Sequence, residues 1–139
     1  MGDVAIPPAV REELFRLQPT VNLSPDVRVV PLVERNLVEA DDWCRAGLVD
    51  RGEAQAIALA RQLGADVLLT DDATARLFAT TLGLQARGSL GIILWLAGQR
   101  RISQANAARH LDRLAATSLW VSPRVMGEAR AALNRLGGA

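Results

Sequence analysis

The chain contains no lysine; all 16 of its basic residues are arginine. Arginine favours two-point contact with phosphate, but replacement on this scale reflects genome composition and by itself points to no ligand. Cysteine is reduced to Cys44. That excludes an internal disulfide and suits a reducing compartment, so a cytoplasmic location is expected. With one histidine, His110, zinc ligation of the common Cys/His kind is excluded, and His110 is expected to face solvent on a helix. The longest apolar run, residues 92–97, is too short to span a bilayer, and no charged-then-apolar leader opens the chain, so neither membrane insertion nor export is expected. Internal repeats, low-complexity stretches and linkers are also lacking.

What is present fits one globular domain over residues 1–139, half of them apolar and long enough to bury a real core. Charge is unevenly distributed. From Ser89 onward Arg100, Arg101, Arg109, Arg113, Arg124, Arg130 and Arg135 face only Asp112 and Glu128. Acidic residues gather in the first two-thirds. An acidic centre with a basic rim suits a metal-dependent nuclease, with carboxylates for the ion and cations for the phosphate backbone. Taken alone, the basic run is ordinarily explained as a solvated helix surface.

Strands and helices alternate. Residues 4–6 read as a strand, and Pro7-Pro8 start a helix carrying Val10, Leu14 and Leu17. Residues 27–30 are β-branched and read as a second strand. Helices follow over 37–46, stopped by Gly47, and over 52–63, stopped by Gly64. The apolar run 66–70 reads as a strand buried on both faces. A helix over 72–82 ends at Gly83, and residues 84–86 form a brief strand. Ser89 is expected to cap a helix through Leu96, and Ser103 another through Ala115. Trp120 and Val121 precede Ser122-Pro123, a cap and first-turn proline for the last helix. This order implies an α/β fold, a mainly parallel sheet flanked by helices. The helix at Ile92, Ile93, Trp95 and Leu96 is apolar almost all round and is expected to be buried or at a subunit interface.

In an open α/β sheet, ligands bind beyond the carboxyl ends of the strands. Asp71 and Asp72 follow the 66–70 strand and occupy that edge. Glu53 sits in the first turn of the preceding helix, and Glu12 and Glu13 lie about two turns beyond the first strand. Three elements can therefore aim carboxylates at one place. Such a set, without His or Cys, suits a hard cation such as Mg²⁺ or Mn²⁺ and phosphodiester hydrolysis. Acids near helix N-termini also complement the helix dipole, which is the ordinary explanation for any one of them.

Five stretches in order carry a resemblance. Ile6-Pro7-Pro8-Ala9-Val10-Arg11-Glu12-Glu13-Leu14 resembles the second block of PIN-like proteins, where an acid precedes the leucine. The stretch from Leu48 through Asp50, Gly52 and Glu53 to Ala60 resembles the third, and Leu68-Leu69-Thr70-Asp71-Asp72-Ala73-Thr74-Ala75-Arg76 the fourth. Gly88-Ser89-Leu90-Gly91 and the ending Trp120-Val121-Ser122-Pro123-Arg124-Val125 look like one branch of that superfamily. The resemblance covers nearly the whole chain. It implies a compact three-layer α/β fold and, in many members, a metal-dependent endoribonuclease, including VapC-like toxins with small antitoxin partners. It implies Glu13, Glu53 and Asp72 as catalytic, metal-binding acids, Asp71 as a further metal ligand, Thr70 as a supporting polar group, and Mg²⁺ or Mn²⁺ as cofactor. Arg76, Arg100 and Arg101 are the arginines expected to contact RNA.

The family pattern opens with a strand ending in an Asp-Thr-Ser-like motif, and this chain begins where the second strand begins. A start placed too late is the favoured reading; a fragment, or a truncation repaired by homodimerisation, are the others. As given, the chain is expected to be a poor nuclease. A catalytically degenerate module that binds nucleic acid or a protein is the principal rival. An unrelated α/β protein whose acids serve only as helix caps is a third reading.

Overall fold

A computed structural model describes residues 3–116 and 122–137. Trp120 and Val121 lie outside the described residues. Seven helices and four short strands alternate among those described, and the chain divides into two compact units, Met1–Ala86 and Arg87–Ala139.

In the first unit β1 (Val4–Ile6) pairs in parallel with β2 (Val27–Val29), Val4 opposite Val27. The crossover between them is α1 (Pro8–Leu17), whose proline-initiated first turn follows Pro7 directly. Helices α2 (Glu34–Arg45) and α3 (Arg51–Leu63) come next. Helix α3 is set by three local signals. Alanines give it high intrinsic propensity, the Asp50 side chain caps its start, and Gly64 ends it with a left-handed backbone, φ 59°. Its alanines also let neighbours approach closely: Ala54 and Ala58 pack with Ala40 of α2, and Cys44 sits beside them as a small packing residue.

From α3 the chain returns through β3 (Leu68–Leu69) to α4 (Ala73–Thr81). The residue after β3, Thr70, comes back to the start of α3, where it acts on Glu53. Ile57, Ala60, Leu68, Ala75 and Ala79 form the core here. Trp43 meets Phe78 edge-on beside it, ring centres 5.1 Å apart. β3 pairs with β4 (Ala86–Arg87), so the four strands form two separate pairs. The strand is shorter than the apolar run suggested and is not covered on both faces: Leu68 is buried but Leu69 is 46 % exposed. Two residues have only one apolar layer to meet.

The second unit consists of α5 (Ser89–Gly98), α6 (Gln104–Ala115) and α7 (Pro123–Gly137). Ala107 and Leu111 of α6 pack on Met126, Ala129 and Leu133 of α7, with Leu90, Ile93 and Leu94 of α5 against them. Ser103 and Ser122 cap α6 and α7 as expected, accepting from Asn106 N–H at 3.0 Å and Val125 N–H at 3.1 Å. For α5 the N-cap position is Gly88, not Ser89, and full burial within the chain is not found, since every residue of α5 keeps some exposure. Helices α6 and α7 can cover only part of an apolar circumference. No helix among the described residues is long and apolar enough to cross a membrane.

Candidate functional site

Helices α1 and α3 meet through a run of contacts that fixes their mutual register. The Ala9 N–H, one of the amides a helix start leaves unpaired, donates to Gln55 Oε1 at 3.2 Å. Gln55 is buried, 4 % exposed. One turn along, Arg51 Nη1 donates to Glu12 Oε2 at 2.8 Å. Glu13 reaches Gly52 so closely that an ideal Cβ on the glycine would lie 2.6 Å from Glu13 Oε1. Contacts 9–55, 12–51 and 13–52 run in opposite senses along the two helices, so α1 is antiparallel to α3 where they touch. Ala9 and Glu13 are four residues apart and share that face. This places Glu13 at the N-terminal end of α3, beside Glu53.

Thr70 joins the same end from β3. It is buried, 8 % exposed. Its oxygen accepts the Asp72 N–H at 3.2 Å, and its hydroxyl serves as hydrogen-bond donor to the Glu53 carboxylate. Asp72 is the N-cap of α4, with Oδ1 accepting from Ala75 N–H at 2.8 Å. Asp50 does the same for α3, accepting from Glu53 N–H at 2.8 Å. The capping explanation is therefore correct for both aspartates. Capping occupies one carboxylate oxygen and leaves the charge in place.

The electrostatic result is concentrated on Glu53. Its pKa lies above the usual carboxylate value, first because burial disfavours the ionised form. The Thr70 hydrogen bond works in the opposite direction, and the charges of Asp50, Asp72 and Glu13 add to the rise. Glu13, Asp50 and Asp72 each lie within electrostatic reach of Glu53. Asp71 is exposed. Arg76 Nη1 donates to the Thr70 carbonyl at 3.0 Å, which fixes a cation at the end of β3. Arg100 and Arg101 belong to the second unit, in the turn between α5 and α6, and Arg100 adopts a left-handed backbone, φ 56°.

The acids do not form a finished ligand cage: among the described residues, no three His, Cys, Asp or Glu side chains are grouped closely enough to hold an ion. The donor chemistry still suits a hard cation. Mg²⁺ usually keeps several waters and takes only one or two carboxylates, the rest of its shell coming from substrate phosphate. Sequence reasoning missed Asp50, Gly52 and Gln55. Asp50 carried a signal, an acid three residues before Glu53 at a helix start. Gly52 and Gln55 acquire their roles only from the α1–α3 register.

A family model described as a PIN domain matches residues 1–135 of the chain. No curated protein and no solved structure matches it.

Proposed function

Because the chain belongs to the PIN-domain family, we propose that it is a metal-dependent endoribonuclease whose working centre is the Glu13, Glu53 and Asp72 carboxylates. The observation that carries this reading is the placement of Glu53, half-buried at the start of α3 with Glu13, Asp50 and Asp72 near enough to disfavour its charge. Structural acids are ordinarily paired with arginine or left in water; here like charges are gathered around a partly desolvated one. A cation would relieve that repulsion.

Glu13 and Glu53, from α1 and α3, are the pair best placed to hold Mg²⁺ or Mn²⁺, with Asp72 contributing the oxygen not used in capping and Asp71 beside it. When bound, the ion would polarise a phosphoryl oxygen and make a coordinated water more acidic. The protein's own groups do the rest. Thr70 orients the Glu53 carboxylate, and Gly52 leaves room for that of Glu13. Arg76, anchored by one N–H to the Thr70 carbonyl, keeps other donors for a phosphate oxygen. The finer reading is a VapC-like toxin, cytoplasmic, with a small antitoxin and a homodimeric state. It is supported by the resemblance of the five sequence stretches and by the lone Cys44.

One observation favours a second reading, a module that holds RNA without cutting it: the lack of a three-acid cage among the described residues. A single assay separates the two. Labelled RNA is incubated with the protein in Mg²⁺, Mn²⁺ or EDTA, alongside Glu53→Gln and Asp72→Asn. The nuclease reading expects cleavage only with a divalent ion and a loss of at least about 10²-fold in each amide variant. RNA retained but uncut in all conditions selects the binding module.

A further inference from the structure

The second unit carries a positive charge that the carboxylate cluster does not explain. Its residues, 87–139, include eight arginines against Asp112 and Glu128, a formal side-chain charge of +6 with His110 neutral. Residues 1–86 include eight arginines against thirteen carboxylates, a formal −5. Both acids of the second unit are engaged by α7. Asp112 accepts from Arg130 Nη1 at 2.6 Å, and Glu128 from Arg124 Nε at 3.2 Å. No other acidic side chain belongs to this unit, so the remaining arginines have no carboxylate of their own unit left to neutralise them.

Four side chains of α6 turn this excess into a surface. Asn106, Arg109, His110 and Arg113 line an open cleft of about 250 Å³. Their spacing, i, i+3, i+4 and i+7, puts them on adjacent turns of one face. The opposite face, through Ala107 and Leu111, is fully buried against α7, so the strip is carried on a packed helix rather than a loop. The cleft is smaller than the roughly 300–1,000 Å³ of small-molecule pockets, and all four residues that line it are polar or charged. What it offers is hydrogen-bond donors, ten N–H groups from the two guanidiniums alone. Arg109 and Arg113 are about 6 Å apart along the helix axis, close to the separation of successive phosphates on one strand.

We propose that the Asn106–Arg109–His110–Arg113 strip of α6 is a phosphate-backbone contact for a single RNA strand, a binding site separate from the carboxylate cluster. The choice of RNA rests on the nuclease reading; the contact itself requires only two neighbouring phosphates.

The test is binding of the full chain to a fluorescein-labelled 12-nucleotide oligouridylate in EDTA, followed by anisotropy over a series of salt concentrations. No cleavage is involved, so its outcome is independent of the carboxylates. Arg109→Gln with Arg113→Gln is expected to weaken binding at least tenfold. The slope of log K against log salt should become shallower by about 1.4, the equivalent of two single-strand phosphate contacts. A control with the same charge loss, Arg124→Gln with Arg135→Gln, should keep the slope and stay within about twofold of the parent. Arg109→Lys with Arg113→Lys should restore the slope but only part of the affinity, since lysine keeps the charge and loses the fork. Equal weakening in the control pair would overturn the proposal, because overall charge would then be responsible. Unchanged binding in the glutamine pair would overturn it too, as would displacement of the RNA by polyglutamate at matched charge. None of these three results bears on the nuclease assay above.

Discussion

Glu13 occupies the space that a side chain at Gly52 would need, with 2.6 Å between Glu13 Oε1 and an ideal Cβ on the glycine. The backbone of Gly52 is ordinary helix, so its role here is vacancy and not conformational freedom. Gly52→Ala should leave stability within about 1 kcal/mol, since alanine is the better helix former and the Glu13 carboxylate is a movable end. Cleavage should fall about 10²-fold, the usual consequence of displacing a working group by an ångström. Parent-like cleavage in a folded Gly52→Ala protein would remove Glu13 from the centre.

Glu53 gives a stability signature that depends on pH. Its folded-state pKa is raised, so the fold favours the protonated form. That favourable contribution is complete below the ordinary carboxylate pKa of about 4.3 and is lost as pH rises through the folded-state value. Glu53→Gln, which cannot ionise, should therefore melt at higher temperature than the parent at pH 7 to 8. The gain should shrink towards pH 4. A lower melting temperature for the glutamine variant at pH 7 would contradict the crowding of charge described here.

Divalent ions should reverse that order. If Mg²⁺ or Mn²⁺ binds Glu53, thermal stability of the parent should rise with ion concentration, by about 1.4 kcal/mol at ten times the dissociation constant. Glu53→Gln should gain far less. Differential scanning fluorimetry in MgCl₂, with choline chloride matched for ionic strength, reads this directly.

Asp72 is both a cap and a charge, and two substitutions separate the roles. Asparagine can accept the Ala75 N–H as aspartate does, so Asp72→Asn should keep stability within about 0.5 kcal/mol while losing cleavage. Asp72→Ala should lose both, with about 1 kcal/mol of stability gone. Equal destabilisation by the two would mean the side chain does more for the fold than cap α4.

The contact of α2 with α3 depends on small side chains. Ala58→Leu adds three carbons where Ala40, Ala54 and Ala58 meet, and overpacking of this kind costs about 1–3 kcal/mol. Urea denaturation should show the lower midpoint.

Much of this architecture was legible because its signals are local. Gly47, Gly64 and Gly83 all take left-handed backbones at the helix ends where they were read as stops. Asp50 shows the limit: as a cap it belongs to its own helix, but as a charge on Glu53 it depends on where other elements end. Gly52 and Gln55 were silent because their meaning lies in which residue of α1 faces which residue of α3. The partial burial of helix α5 was illegible for a related reason. Composition says what a helix could bury, and only the number of neighbours says how much it does bury.

The hydrogen bond from Ala9 to Gln55 acts as a depth stop for α1. Sliding that helix by one residue would move it 1.5 Å along and about 100° around, which would swing Glu13 away and bring its chain neighbours round instead. Two elements that share one reaction centre can be aimed no more finely than the peg that stops them slipping. In this protein an uncharged amide shares that alignment with the Arg51–Glu12 pair, so on the proposed reading Gln55 helps to aim Glu13 without ever touching a substrate.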